Sequence, residues 1–331
     1  GAITFTSTIT TTLVDDWTVT GTVTSAGTIN GNNIYLQGSL FTATTTGGTT
    51  IFNFTGTGSW TSTGNGIFAP IIINTAGTLT ITGTVRAGGQ TITYTAGTVV
   101  VTGSTLNLAG GTTTFNTSGM TWNNITMVST GGITLTSDLN IAGTLTSTAA
   151  ITTSGVFNIN VASLVVTSNI SGTSTIILNG SGTWSGGSGI LSTNLTINTA
   201  GTITLSGIIR YSTNTITYTA GTVNQSTSVL TISASCTLNT NGMSWYSITI
   251  SGTTTITNNS LLTLSNTLTY ASGSVVTFLG TSGWTTANFV IGTSGSVIHV
   301  LKSLITYTIT TDFTSITTTN SLKDTLKSDT P

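Results

Sequence analysis

The chain has 331 residues, of which only 3% are charged, and its net charge at pH 7 is -1. Five Lys and Arg residues in all exclude the basic surface that nucleic acid or an acidic membrane would require. About a quarter of the residues are Thr, 40 are Gly and none is Glu, so the composition favours strands over helices. Hydrophobic residues make up 37%, which is too many for a disordered chain.

A repeat is marked by the six tryptophans, which are Trp17, Trp60, Trp122, Trp184, Trp245 and Trp284. Their separations are close to two or three multiples of roughly 20.5 residues, which is the length of one rung of a β-helix. The repeat therefore predicts an all-β fold, a parallel β-helix (β-solenoid) with about 20-residue rungs and three short strands in each rung. At that rung length the chain would make about sixteen rungs.

A longer duplication lies over the rungs. The segment NTAGTLTITGTVRAGGQTITYTAGTV at 74–99 aligns without a gap to NTAGTITLSGIIRYSTNTITYTAGTV at 198–223, at an offset of 124 residues. We interpret this offset as six rungs, or two three-rung modules marked by the tryptophans at 60, 122, 184 and 245. Residues 1–320 are predicted to form a single solenoid domain.

Stacked β-sandwich domains are the alternative that alternating strands leave open. Sandwich domains need about 100 residues each and would not place glycines at steps of roughly 20 residues. Gly58, Gly77 and Gly97 follow such steps, which favours the solenoid, and each of them is predicted to end a strand at a turn. Within a rung, alternation in TLTIT predicts that Ile81 points into the core and Thr80 points to solvent.

Catalysis on a β-helix would require acidic residues that converge on one face. The six acids are Asp15, Asp16, Asp138, Asp312, Asp324 and Asp329. Asp15 and Asp16 would point to opposite sides of a strand, Asp138 is isolated, and the others lie near the end of the sequence. We therefore predict no enzyme activity, no cofactor and no metal site. Cys236 and His299 are interpreted as structural residues.

Five residues are candidate surface contacts, namely Arg86, Arg210, Tyr94, Tyr218 and Tyr270. The two arginines occupy the same position in the duplicated segments, where they are candidate hydrogen-bond donors to an acidic glycan or a partner fibre. The alternative is that each is a solvated rim residue preserved by duplication. The three tyrosines end related strands, and outward-facing aromatic rings suit carbohydrate binding. The tryptophans are predicted to point into the core.

Segments such as LNTNGMSWYSITI and LTLSNTLTYASGSVVTF resemble the repetitive β-helical appendage proteins of bacteriophage virions, of tail-fibre or decoration type. They are also similar to the shafts of filamentous bacterial adhesins. The resemblance implies a non-catalytic structural or adhesive rod, located in a virion, outside the cell or at its surface. It implies self-association as a trimer or end to end, contact with other virion or filament proteins, and a cell-surface glycan as a partner. Neither nucleic-acid binding nor membrane insertion is expected.

Two other functions are kept as alternatives. A carbohydrate-active β-helix enzyme of tailspike or lyase type would need converging acids. An ice-binding solenoid would need T-x-T strands at the same position in nearly every rung, whereas the strand after TITYT reads VVVT or VNQS.

Residues 321–331 contain a cluster of charged residues and are predicted to be a capping or transition segment.

Overall fold

The computed structural model describes residues 1–5, 10–63, 66–271, 274–280, 284–291, 297–300 and 308–309. The chain forms two compact units. The first comprises Gly1–Val161 with Gly172–Ser174, and the second comprises Ala162–Ser171 with Thr175–Pro331. The charged segment 321–331 and the aspartates at 312, 324 and 329 lie outside the described residues.

The regular secondary structure of the described residues consists of strands. In the first unit these are β1 Ile3–Thr4, β2 Thr11–Leu13, β3 Trp17–Val19, β4 Val23–Gly31, β5 Ile34–Leu36, β6 Leu40–Gly47, β7 Phe52–Phe54, β8 Gly58–Ser62, β9 Gly66–Phe68, β10 Ile71–Ile81, β11 Thr84–Ala87, β12 Thr91–Val100, β13 Thr105–Leu108, β14 Thr113–Asn116, β15 Thr121–Trp122, β16 Asn124–Met127, β17 Gly131–Leu135, β18 Leu139–Ser147 and β19 Ile151–Ser154. Two strands contain residues of both units, β20 Asn158–Val166 and β21 Ile170–Gly172. In the second unit the strands are β22 Thr175–Leu178, β23 Gly182–Gly186, β24 Ile190–Ser192, β25 Leu195–Ser206, β26 Ile208–Tyr211, β27 Thr215–Asn224, β28 Val229–Ile232, β29 Cys236–Asn239, β30 Ser244–Ile250, β31 Thr253–Asn258, β32 Leu262–Tyr270, β33 Val275–Gly280, β34 Trp284–Thr286, β35 Asn288–Ile291, β36 Val297–Val300 and β37 Thr308–Ile309.

The strands pair in parallel with strands one rung further along the chain. In the first unit Ile71 of β10 pairs with Ile92 of β12, which pairs with Phe115 of β14. In the second unit Leu230 of β28 pairs with Ile248 of β30. The described fold is a parallel β-solenoid of about 13 turns with rungs about 20 residues apart and no helix, so the predicted fold class is confirmed. The rungs predicted beyond these turns fall largely on residues that the structure does not describe.

The core consists of apolar side chains that alternate with outward-facing polar ones along each strand. Leu79 and Ile81 of β10 are fully buried, whereas Thr80 between them is partly exposed. In the second unit Ile203 and Leu205 of β25 are buried in the same alternation. The predicted inward and outward faces of these strands are confirmed, because side chains on successive strand residues point to opposite faces.

The corners of the rungs differ from the predicted turns. Gly77 and Gly201 lie within the long strands β10 and β25, whose pairing shifts register at the corner. A Cβ at Gly77 would overlap the Thr57 hydroxyl, and the buried Thr75 hydroxyl donates to the Gly56 carbonyl at 2.7 Å. The prediction that Gly77 and Gly97 end strands is wrong, because a bulge bends the strand round the corner while the pairing continues. Gly58 begins β8 and does not end a strand either.

The tryptophans are core residues with one exception. Trp60, Trp122, Trp184 and Trp245 are at most 1% exposed and Trp284 is 6% exposed, which confirms the prediction for these five. Trp17 is 38% exposed, so the prediction is wrong for this residue. Its strand β3 buries Val19 instead, and the Trp17 ring stacks on Phe5 with ring centroids 6.0 Å apart.

Trp122 packs where a neighbouring strand contributes no side chain to the core. Because β12 pairs with β14 up to Thr93 and β13 pairs with β16 from Thr105, residues 94–104 lie opposite residues 117–123 of the next rung. None of Thr98–Val100 is buried. The second unit repeats this arrangement, because none of residues 222–224 is buried. Beside this segment Trp184 and Trp245 meet edge to face, with ring centroids 6.2 Å apart, although two rungs lie between them. The indoles therefore fill core volume that the exposed strand leaves unfilled.

Candidate functional site

Two of the three described aspartates accept hydrogen bonds from the backbone of the next rung. Asp16 accepts hydrogen bonds from the backbone N–H of Asn33 at 2.8 Å and from its side-chain amide at 3.1 Å. Asp138 accepts the backbone N–H of Asn158 at 2.9 Å. Asp15 is exposed. Asp16 and Asp138 therefore satisfy backbone donors at the start of β5 and β20, which is a structural use of a carboxylate.

Cys236 lies in the core of the second unit, on β29. Burial raises the pKa of its thiol to about 12. Burial also raises the pKa of Tyr211, to which the Cys236 charge adds, and the Tyr211 hydroxyl donates to the Thr193 carbonyl at 2.9 Å. Within the described residues no group of three or more His, Cys, Asp or Glu side chains lies together.

The raised thiol pKa predicts a loss of stability in alkali. The unfolded thiol ionises near pH 8.5, whereas the folded thiol stays neutral until about pH 12, so its contribution is complete below about pH 8.5 and is lost as the pH rises. We expect the free energy of unfolding of the second unit to fall by about 1.4 kcal/mol per pH unit above pH 9 from this group. Urea unfolding at several alkaline pH values measures the slope. Cys236→Ala should flatten it, and equal slopes for both proteins would contradict the assignment.

A column of outward-facing polar side chains runs along the first unit. Arg86 of β11 pairs with Asn107 of β13, Asn107 with Thr126 of β16, and Thr126 with Thr146 of β18. All four side chains are partly exposed, and we call them the first arginine column. Since neighbouring strands lie about 4.8 Å apart, the column presents a guanidinium, an amide and two hydroxyls along about 14 Å.

The guanidinium of Arg86 lies over the ring of Phe68, with 5.9 Å between Cζ and the ring centroid. Glycines make room for both side chains, because a Cβ at Gly66 would crowd the Arg86 stem and a Cβ at Gly110 would overlap the Phe68 ring. The Arg86 Nε is buried without a hydrogen-bond partner. No acidic side chain of the described residues pairs with Arg86. The favourable electrostatic contact of its guanidinium is therefore the cation–π contact with the Phe68 ring.

The second unit has an equivalent column with different contacts. Arg210 of β26 pairs with Thr231 of β28, Thr231 with Thr249 of β30, and Thr249 with Thr269 of β32, and we call these the second arginine column. Arg210 donates through Nε to the Gly187 carbonyl at 3.2 Å. The two arginines therefore share a backbone position, as predicted from the duplication, but differ in what surrounds the guanidinium. The duplication supplies a reason, because Ser192 aligns with Phe68 and offers no ring.

Tyr94 and Tyr218 each close a bend in a strand. The Tyr94 hydroxyl donates to the Gly97 carbonyl at 2.7 Å, and the Tyr218 hydroxyl donates to the Gly221 carbonyl at 2.6 Å. Both glycines have positive φ angles, 111° and 114°, which favour glycine. Both tyrosine rings are partly exposed, so each offers a ring face to a ligand while its hydroxyl is engaged within the chain.

Tyr270 is fully buried, so the prediction that it is a surface contact is wrong. It ends β32, where it pairs with Ile250, and Ile250 pairs in turn with Ile232. The sequence TLTYASG around Tyr270 is similar to TITYTAG around Tyr94. Tyr270 nevertheless continues the inward alternation of its strand, whereas Tyr94 lies where a register shift bends the strand. Sequence similarity alone does not distinguish these two backbone settings.

Two strand ends with one unpaired edge were not predicted. Residues 98–100 of β12 pair with 78–80, and residues 222–224 of β27 pair with 202–204. In the described part of the chain no strand pairs with the other edge of either segment. A turn follows the first segment, where the Ser104 backbone N–H and hydroxyl both donate to the Val101 carbonyl. The signal in the sequence is VVVT and VNQS, which break the alternation kept by neighbouring strands.

Comparison with protein-family models, with curated proteins and with solved structures finds no match. The resemblance to phage appendage proteins and adhesin shafts therefore stays a prediction. A search of the described residues for a helical membrane span finds none.

Proposed function

We propose that this chain is a non-catalytic structural or adhesive rod of a virion appendage or an extracellular filament. The observation that carries the proposal is the position of two carboxylates, those of Asp16 and Asp138. Asp16 and Asp138 each accept a backbone N–H from the next rung, at 2.8 Å and 2.9 Å. An acid or base catalyst must instead hold its carboxylate within hydrogen-bond reach of a substrate.

The surface and the backbone support the same proposal. Parallel pairing from rung to rung satisfies backbone donors and acceptors with little help from charged side chains. The outward columns carry Thr, Asn and Arg, which suit many weak contacts along a length of chain. The partners we propose are further copies of the chain, other virion or filament proteins, and a cell-surface glycan.

The ice-binding alternative is not favoured by the outward residues of the second arginine column. Thr267 and Thr269 on β32 form one T-x-T pair, but the rung at β28 places Val229 beside Thr231. An ordered array of hydroxyls is therefore interrupted within three rungs. The carbohydrate-active enzyme is the alternative that the following experiment tests.

We expect the purified chain to leave acidic and neutral polysaccharides intact, with or without calcium. Reducing-end release is measured for the unaltered protein, for Asp138→Asn and for Asp138→Ala. We expect no depolymerisation by any of them. Asp138→Ala should lower the free energy of unfolding by about 1–3 kcal/mol, because the backbone N–H of Asn158 loses a charged acceptor. Asp138→Asn keeps an acceptor oxygen and should be milder.

Depolymerisation by the unaltered protein that either Asp138 variant abolishes would make the enzyme the better assignment. The location of the chain is tested separately, by imaging a purified particle or filament with an antibody against it. Labelling confined to the cell interior would contradict the appendage role.

A further inference from the structure

We propose that the first arginine column binds an acidic glycan, with a carboxylate or sulfate group of the sugar chain at Arg86. The inference deepens the proposed adhesive role, on which it rests, by naming the ligand class and the end of the column that recognises it. It follows from the unpaired charge of Arg86, from the Phe68 ring beneath it and from the polar residues in register beyond it.

Arg86 is a cation with no acidic partner among the described residues, on a surface with few other charges. Its Nε is buried and unpartnered, so the terminal amino groups are the edge of the guanidinium left for an external acceptor. The contact with the Phe68 ring, 5.9 Å from Cζ to the ring centroid, restricts where the guanidinium can move before a ligand arrives. Planar, pre-oriented donors of this kind match the two oxygens of a carboxylate or sulfate.

The rest of the column indicates a sugar rather than a protein. Asn107 is partly exposed, and its side-chain amide makes no hydrogen bond to another described residue. The hydroxyls of Thr126 and Thr146 follow at successive rungs. Amide and hydroxyl groups recognise sugar hydroxyls, whereas a protein partner would be expected to meet apolar or aromatic anchors at the centre of the interface.

The second arginine column makes a matched comparison within the same chain. Its arginine already donates through Nε to the Gly187 carbonyl, and Ser192 stands where Phe68 stands in the first unit. Arg210 therefore lacks the aromatic support that orients Arg86. We expect the acidic group to select Arg86, and Arg210 to contribute little to binding.

The experiment is isothermal titration calorimetry of the full chain with oligogalacturonate and with a sulfated galactan oligosaccharide. The matched neutral ligands are the methyl-esterified and the desulfated forms, and inorganic sulfate is titrated alone. We expect at least one acidic oligosaccharide to bind, and its neutral form to bind about tenfold more weakly or not at all. Affinity should fall as salt rises, because the contact at Arg86 is ionic.

Three variants assign the binding to the column. Arg86→Gln should weaken the acidic ligand about tenfold, and Arg210→Gln should leave its affinity within about twofold. Phe68→Leu keeps the charge but removes the ring, and should weaken binding about threefold. It also serves as the second test if Arg86→Gln does not fold. Thermal unfolding midpoints verify that the variants are folded.

Several outcomes would overturn the proposal. These are failure of both acidic oligosaccharides to bind, equal binding of the neutral forms, inorganic sulfate binding as tightly as the sulfated oligosaccharide, or equal losses in Arg86→Gln and Arg210→Gln. If neither acidic oligosaccharide binds and neither is depolymerised, the glycan-binding proposal is overturned, whereas the proposal of a non-catalytic rod still stands. Depolymerisation of either oligosaccharide would overturn the rod itself.

Discussion

Replacing Trp122 by alanine is expected to destabilise the first unit by about 3–5 kcal/mol. The Trp122 side chain is 1% exposed and packs edge to face on Phe115, with ring centroids 6.3 Å apart. Residues 98–100 of the preceding rung place nothing in the core at this side, so that segment has no buried side chain to fill the cavity. Denaturant unfolding measures the loss, and hydrogen exchange should locate it at the strands around Trp122.

Two variants control this result. Trp17→Ala removes an equally large side chain that is 38% exposed, and it should cost much less than Trp122→Ala. Trp122→Phe should cost less than Trp122→Ala as well, because the buried indole N–H of Trp122 has no hydrogen-bond partner to lose. Similar losses for Trp17→Ala and Trp122→Ala would show that the indole at 122 does not fill the core as described.

Ile81→Asp is expected to cost several kcal/mol, enough to unfold much of the first unit. Ile81 is fully buried on β10 and pairs with Trp60, so an aspartate there would place an unpaired carboxylate among apolar side chains. The loss should shrink at low pH, where the buried carboxyl takes up a proton and becomes neutral. Circular dichroism during thermal unfolding, at neutral and acidic pH, measures both effects.

The neighbouring residue supplies the matched control. Thr80 lies on the same strand and is partly exposed, so Thr80→Asp should change the free energy of unfolding by about 0.5 kcal/mol or less. Equal losses at positions 80 and 81 would mean that the inward and outward faces of β10 are reversed.

The period and the facing of the strands could be predicted because both follow from local rules. A repeat of about 20 residues specifies a solenoid rung, and the alternation around Leu79 and Ile81 specifies which residues are buried. The bends at Gly77 and Gly201 could not be predicted in the same way. Both a turn and a bulge use glycine, and only the close approach of Thr57 or Ser181 distinguishes them.

The positions of the two candidate arginines could be predicted from the sequence, but the contacts of their guanidinium groups could not. The duplication places Arg86 and Arg210 at equivalent backbone positions. The structure bears this out, because β11 pairs with β13 in the same way as β26 pairs with β28. Their differing contacts depend on Phe68, which lies in the preceding rung, and on the Gly187 carbonyl, which lies 23 residues before Arg210. The prediction that Tyr270 is a surface contact was wrong for a related reason, since the burial of Tyr270 depends on the register of β32 with β30.

Pairing between successive rungs also determines how the chain reaches its fold. With partners about 20 residues apart among the described strands and a chain length of 331 residues, the relative contact order of the described pairing is about 0.06, below even typical helical bundles. Each new rung needs only a short loop to close before it pairs with the rung already formed, as Ile92 pairs with Ile71. Folding can therefore begin at any well-packed group of rungs within a unit and spread in both directions. During synthesis, each finished rung is a template for the next.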